Sequence, residues 1–193
     1  VRSLRLHFKD MKSNPDIKMC AVICLQETWL PRGEHTITSL HIAGFNAHYN
    51  SAGRGKGVAT YYTDAFTFAA DVCEPTYQIT KINSTQLSII NVYRSSNATG
   101  SFICDLRTII DLQRLTYIVG DFNICYISQN AHRVVKDLKD MGFTQLVKHA
   151  THMEGGLLDH FYSNASSSAD VWIQQQCPYF SDHDILFAMP SAR

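Results

Sequence analysis

Ala21-Val22-Ile23-Cys24-Leu25-Gln26 is a short, unbroken apolar run that leads directly into Glu27-Thr28-Trp29. A continuous apolar stretch of this length predicts a buried strand. Glu27 then falls at its C-terminal end, where α/β-type sheets usually present their chemistry. The same grammar recurs along the chain. Thr116 to Val119 is a short apolar strand that ends in Gly120-Asp121-Phe122-Asn123, and Leu158-Asp159-His160 and Ser181-Asp182-His183 likewise follow apolar runs.

Around these motifs the periodicity predicts strands alternating with helices. Ser3 to Asn14 is an amphipathic helix ended by Asn14-Pro15. Residues 44 to 63 form two strands around the glycine-rich turn Asn50 to Gly57, with Arg54 and Lys56 at its tip. Tyr77 to Lys81 and Gln86 to Tyr93 form a hairpin. Phe102 to Gln113 carries apolar residues at helical spacing, and a polar helix runs from about Ala131 to Met141, where Gly142 stops it. Strands follow at Phe143 to Val147, Leu157 to Ser163, Val171 to Ile173 and Ile185 to Met189. Many short strands interrupted by helices predict an α/β fold, a four-layer α/β sandwich of two mixed β-sheets flanked by helices. No repeat or linker divides it, so residues 1–193 are expected to form a single domain.

Composition narrows the function. The chain has 193 residues and 17 Lys plus Arg against 17 Asp plus Glu, which argues against a polycation that holds nucleic acid by bulk charge. The balance conceals an asymmetry: residues 1 to 100 hold 10 basic and 7 acidic groups, and residues 101 to 193 hold 7 and 10. With 10 Gly and 5 Pro the chain is neither collagen-like nor low-complexity. It has no apolar stretch of spanning length, so a soluble protein without a membrane partner is expected. Six cysteines and three glycosylation sequons, at Asn83, Asn97 and Asn164, are compatible with secretion. Several of the cysteines lie inside apolar runs, however, and reduced thiols in a nuclear or cytoplasmic protein are the favoured reading.

Carboxylates and amides repeatedly placed at strand ends can converge on one rim of a sheet. Such a set suits a hard divalent cation and a phosphate, because magnesium takes oxygen ligands and usually only one or two protein carboxylates. Each motif alone also fits a turn or a helix cap. Together and in this order, the strings Ile23 to Leu30, Asn91-Val92-Tyr93-Arg94, Tyr117 to Asn123, Gly156 to His160 and Tyr179 to His183 resemble the endonuclease/exonuclease/phosphatase superfamily, which has the DNase I-like fold. Within it the chain is most similar to the apurinic-type endonuclease domain of non-LTR retrotransposons.

The resemblance implies a DNA endonuclease dependent on Mg2+ (or Mn2+) that hydrolyses phosphodiester bonds. It makes Glu27 the principal metal ligand, with Asp182 close to the metal. It places the Tyr93 hydroxyl and His183 on the scissile phosphate, has Asp121 hold or deprotonate the attacking water, and has Asn123 hydrogen-bond a phosphate oxygen or that water. Asp159 would orient His183 and favour its charged form. Ser181 would contact phosphate or position Asp182. Arg94 is a candidate phosphate contact or a solvated charge, and Arg54 and Lys56 either clamp the DNA backbone or form a solvated hairpin tip. Trp29 is read as packing beneath Glu27, and His160 as structural.

Family members usually begin with an apolar strand ending in Asn, directly before a stretch like Val1-Arg2-Ser3-Leu4. Neither strand nor Asn is in this sequence, so the domain is expected to lack its first strand, and if the protein starts at Val1 its activity is in doubt. Two further readings stay open: a domesticated nucleic-acid-binding remnant, and a phosphoesterase acting on an inositol phosphate or lipid head group. Partners would be DNA and other domains of a mobile-element polyprotein. Oligomeric state is not legible.

Overall fold

The computed structural model describes residues 3–33, 37–166 and 171–190. Val1 and Arg2, before which the family's first strand would fall, lie outside them. The chain folds into four layers in which two helical layers enclose two β layers. The first helix, α1 (Leu4–Ser13), buries Leu4, Phe8 and Met11, one stripe at helical spacing. It stops because Asn14 turns extended and its side chain accepts the Asp16 and Ile17 amides at 2.9 and 3.3 Å, capping the short α2 (Pro15–Lys18) with proline at its first turn.

Beneath these helices lies an antiparallel sheet of order β1-β3-β2, built from β1 (Val22–Gln26), β2 (Asn46–Asn50) and β3 (Val58–Tyr62). Ile23, Leu25, Tyr49, Ala59 and Tyr61 share one core with α1 and α2. The central layer is a mixed six-stranded sheet of order β4-β5-β6-β7-β9-β8, formed by β4 (Thr67–Glu74), β5 (Tyr77–Asn83), β6 (Leu87–Arg94), β7 (Leu115–Asp121), β8 (Thr144–Gln145) and β9 (Asp159–Ser163). Only β6 and β7 run parallel, and the crossover α3 (Ser101–Ile109) joins them. With α4 (Arg133–Asp140), α3 covers the far face, where Ile79, Ile90, Val92, Ile118, Phe122 and Tyr162 meet Phe102, Leu106 and Leu138. Burial of each such side chain contributes roughly 1.5–3 kcal/mol. The hairpin β10 (Val171–Gln176) and β11 (Ile185–Pro190) packs on the near face, with Val171, Ile173 and Leu186 against Phe161, Tyr117 and Val119.

The mixed α/β architecture is the one expected, with one difference in the second sheet. It comes as two antiparallel pieces, and among the described residues no ladder joins β1 to β11. Both strands instead line a cavity of about 690 Å3 whose wall includes Leu87, Ile89, Tyr117 and Val119.

Smaller differences have local causes. The strand expected over 143–147 shrinks to Thr144–Gln145, because Phe143 and Val147 anchor in two separate cores. The helix expected to reach Gln113 ends at Ile109, where Ile110 turns extended. Strand β4 is mostly exposed, so it shows no apolar alternation from which to read it.

Candidate active site

Register places the site. In the parallel ladder Tyr93 stands opposite Asp121, in the β7–β9 ladder Asp121 stands opposite Asp159, and Gln78 flanks Tyr93 from β5. Side chains alternate across a strand, so these four residues form one row on the sheet face turned toward β1 and β11, while Val92, Gly120 and His160 point the other way. Gly120 is required there. It adopts φ +138°, and a Cβ on it would fall 1.9 Å from the Val92 carbonyl oxygen.

Glu27 approaches the row from the end of β1. The near face carries a buried amide link that sets this approach: Gln26 Nε2 donates to Asn91 Oδ1 at 2.6 Å, and Asn91 Nδ2 donates to the Leu25 and Ala59 carbonyls and to Thr60 Oγ1. Beyond it the chain is strained, with Glu27 at φ 52° and Trp29 at φ 56°. Among non-glycine residues such values are uncommon and cluster at functional sites. The glycine-rich turn is pinned against this segment. Trp29 and Thr28 donate to the Lys56 and Gly57 carbonyls, Gly57 donates to Gln78 Oε1 at 2.8 Å, and Tyr93 Oη donates to the Gly55 carbonyl at 3.1 Å.

Electrostatics follow from burial. Asp121 is 3 % exposed. Burial pushes its carboxyl well above the usual range, the charges of Asp159 and Glu27 add to this, and His183 and the Asn123 amide oppose it. The Tyr93 hydroxyl is raised by burial and by the charges of Glu27 and Asp121. Asn123, at φ 49°, closes a tight loop on Asp121, its amide N–H reaching Oδ1 at 2.9 Å and its Nδ2 reaching Oδ2 at 3.1 Å. His183 Nδ1 pairs with Asp159 Oδ2 at 2.8 Å. Burial pulls His183 down, but that bond and the charges of Asp159, Asp121 and Asp182 outweigh it and push it up to about 9.

Tyr93, Asp121, Asn123, Asp159 and His183 thus come together, with Glu27 and Asp182 on the cavity rim beside them. Ser181 sits under the loop and accepts the His183 amide at 3.0 Å. Three of the candidate contacts have protein partners of their own. Arg94 is not a solvated charge: it is 4 % exposed, lies on the far face, and donates to the Phe122 and Ala98 carbonyls, bracing the Asn123 loop from behind. Arg54 is exposed and lies 5.4 Å over the Trp29 ring, so that tryptophan packs under an arginine. Lys56 donates to the Pro75 carbonyl, which ties the glycine-rich turn to the β4–β5 turn. His160 is fully buried, stacks on Phe122 and bonds Ile124 O and Tyr162 Oη.

One residue at the site escaped the sequence reading. His152 lies in a loop with no periodic pattern, yet its ring meets that of His183 edge-on at 4.7 Å. Ligand atoms of His152, Asp182 and His183 lie within 4.8 Å of one another. The donor set also suits a divalent cation. Glu27, Asp121, Asp159 and Asp182 gather four carboxylates around His183, and the charges of Asp159 and Glu27 add to the burial that pushes the Asp121 carboxyl up.

Comparison with known proteins gives the same outline. The model of the Endonuclease/Exonuclease/phosphatase family matches residues 3–183. No curated protein matches the chain. Among solved structures, an AP endonuclease from Archaeoglobus fulgidus superposes with a TM-score of 0.77 at 14% identity, over 100% of this chain and 97% of that one. A 3'-5' exonuclease from Neisseria meningitidis gives 0.77 at 17%, over 98% and 96%. The endonuclease domain of TRAS1, a telomere-specific non-LTR retrotransposon, gives 0.73 at 12%, over 98% and 94%. At these identities the likeness is one of fold.

Proposed function

Since the chain belongs to the endonuclease/exonuclease/phosphatase family, a family of nucleases and phosphoesterases, we propose that it is a divalent-metal-dependent DNA endonuclease that hydrolyses a phosphodiester with water. The observation that carries this reading is the row Tyr93–Asp121–Asp159, extended by His183 and faced by Glu27. The retrotransposon endonuclease domain among the similar folds supports DNA as the substrate and a nick as the product.

Glu27 and Asp182 would hold Mg2+ or Mn2+, which supplies charge neutralisation at the phosphate. Asp121, raised toward neutrality by burial, is suited to accept the proton of the attacking water. Asn123 keeps that carboxylate in one orientation through two hydrogen bonds. His183, kept cationic by Asp159, offers positive charge to a phosphoryl oxygen, and the Tyr93 hydroxyl, held protonated, would be a second donor on turning from the Gly55 carbonyl. Arg54, exposed in the glycine-rich turn, would contact the DNA backbone.

Supercoiled plasmid incubated with the protein and Mg2+ is expected to be nicked, and chelation is expected to stop it. Glu27→Ala and Asp121→Ala should each lower the rate by at least about 100-fold. Equal nicking by the wild type and both variants would assign the activity to a contaminant and overturn the reading.

A further inference from the structure

The loop carrying His152 is a rigid bracket. The amides of Thr151 and His152 both donate to the Gly156 carbonyl, at 2.9 and 3.0 Å, and Gly155 donates back to the His152 carbonyl at 2.8 Å. Thr151 Oγ1 accepts the amides of Leu158 and Asp159 at 3.1 and 3.0 Å, which fastens the loop to β9. It is fastened equally to the segment bearing Asp182 and His183, since Met153 donates to the Asp182 carbonyl at 2.9 Å and Asp184 donates to the Thr151 carbonyl at 2.8 Å.

The His152 ring is oriented within this bracket. Its Nδ1 accepts the Glu154 amide at 3.2 Å, so the ring proton is on Nε2. That nitrogen lies 3.6 Å from Asp182 Oδ2, and the side chain is only 15% exposed. A protonated nitrogen repels a cation, so the trio of His152, Asp182 and His183 is a carboxylate set between two imidazoles rather than three ligands converging on one ion.

We propose that His152 is a positioning residue for the nuclease reaction: its Nε2–H faces the Asp182 carboxylate at 3.6 Å, an electrostatic contact that biases where the carboxylate sits, beside the 2.8 Å bond by which Asp159 holds His183. The adjacent residues Asp182 and His183 are thereby each anchored by one end of a single hairpin, His152 at its start and Asp159 at its finish. The inference rests on the proposed nuclease reading for its catalytic consequence, but not for its structural one.

His152→Leu removes the donor, whereas His152→Gln puts an amide N–H near the position of Nε2. Partners of metal-site residues typically change affinity or activity about 10- to 100-fold. The Leu variant is therefore expected to bind Mn2+ at least about tenfold more weakly, read by electron paramagnetic resonance on the free protein, and to nick about 10- to 100-fold more slowly at unchanged KM for DNA. The Gln variant should return both to within a few-fold of wild type. Adding His152→Leu to Asp182→Asn should cost nothing further. Far-ultraviolet circular dichroism confirms that each variant is folded, and should the Leu variant unfold, the Gln variant and the comparison in the Asp182→Asn background still decide the question. Wild-type Mn2+ affinity in the Leu variant, or a Gln variant as impaired as Leu, would overturn the proposal. A wild-type protein that cuts no DNA would sink the nuclease reading alone, because the Mn2+ readout remains.

Discussion

His183 and His160 sit in opposite electrostatic settings, and their titrations give two checks. The folded value of His183, about 9, lies above the ordinary 6.5. The stability it contributes is fully present below pH 6.5 and is lost as pH rises through about 9. Asp159→Asn removes the largest influence that holds it up, so the His183 midpoint followed by NMR should fall well below its native value; an unchanged midpoint would mean that Asp159 is not its partner. Burial depresses His160 to about 4, so its contribution is fully present above 6.5 and is lost as pH falls toward 4. Urea denaturation across that window should show a slope that His160→Gln flattens, by a few kcal/mol in total. An identical slope in the variant would place the acid sensitivity elsewhere. Gly120 is a steric matter: Gly120→Ala drives a methyl into the Val92 carbonyl, and loss of the cooperative thermal transition is expected.

At the scale of elements, the near-face link through Asn91 matters most, because it joins β1 of one sheet to β6 of the other. Asn91→Ala removes the acceptor of the Gln26 amide and the donor to two strand carbonyls and to Thr60, and is expected to lower stability by on the order of 3 kcal/mol in urea, with a further loss of nicking as Glu27 loses its registration. An unchanged midpoint would mean that water replaces the network at no cost. Strands with a buried face, such as β6 and β7, were legible because their apolar residues recur in runs. Edge strand β4 was not, having almost no buried face, and neither was the shortening of β8, which depends on Phe143 and Val147 choosing different cores.

Over the whole molecule, the order of the motifs revealed the site's membership but not its wiring. That Glu27, Asp121, Asp159 and His183 could face one rim was readable from motifs that each follow an apolar run, whereas Tyr93 joined them through the family resemblance alone. That Arg94 turns inward depends on strand parity and on a loop carbonyl at Phe122, neither of which is visible in a lone arginine after a strand. His152 depends on a loop being strapped to another loop 30 residues away, for which a sequence carries no periodic signal. The division of the second layer also has a dynamic reading. Amides of β1 and β11, each laddered on one side only among the described residues, should exchange with solvent before those of β6 and β7, as hydrogen exchange followed by mass spectrometry would show.

The cavity between β1 and β11 also makes the site elastic. Glu27, after β1, and Asp182, before β11, both line that cavity, and among the described residues no ladder joins those two strands. A gap set by soft walls adjusts to the radius of what enters it, whereas Mg2+ selectivity requires a stiff, near-octahedral cage. The protein is therefore expected to bind Mg2+, Mn2+ and the larger Ca2+ within about tenfold of one another by calorimetry. Discrimination of several orders of magnitude would reveal a stiffness that the strand pairing does not supply.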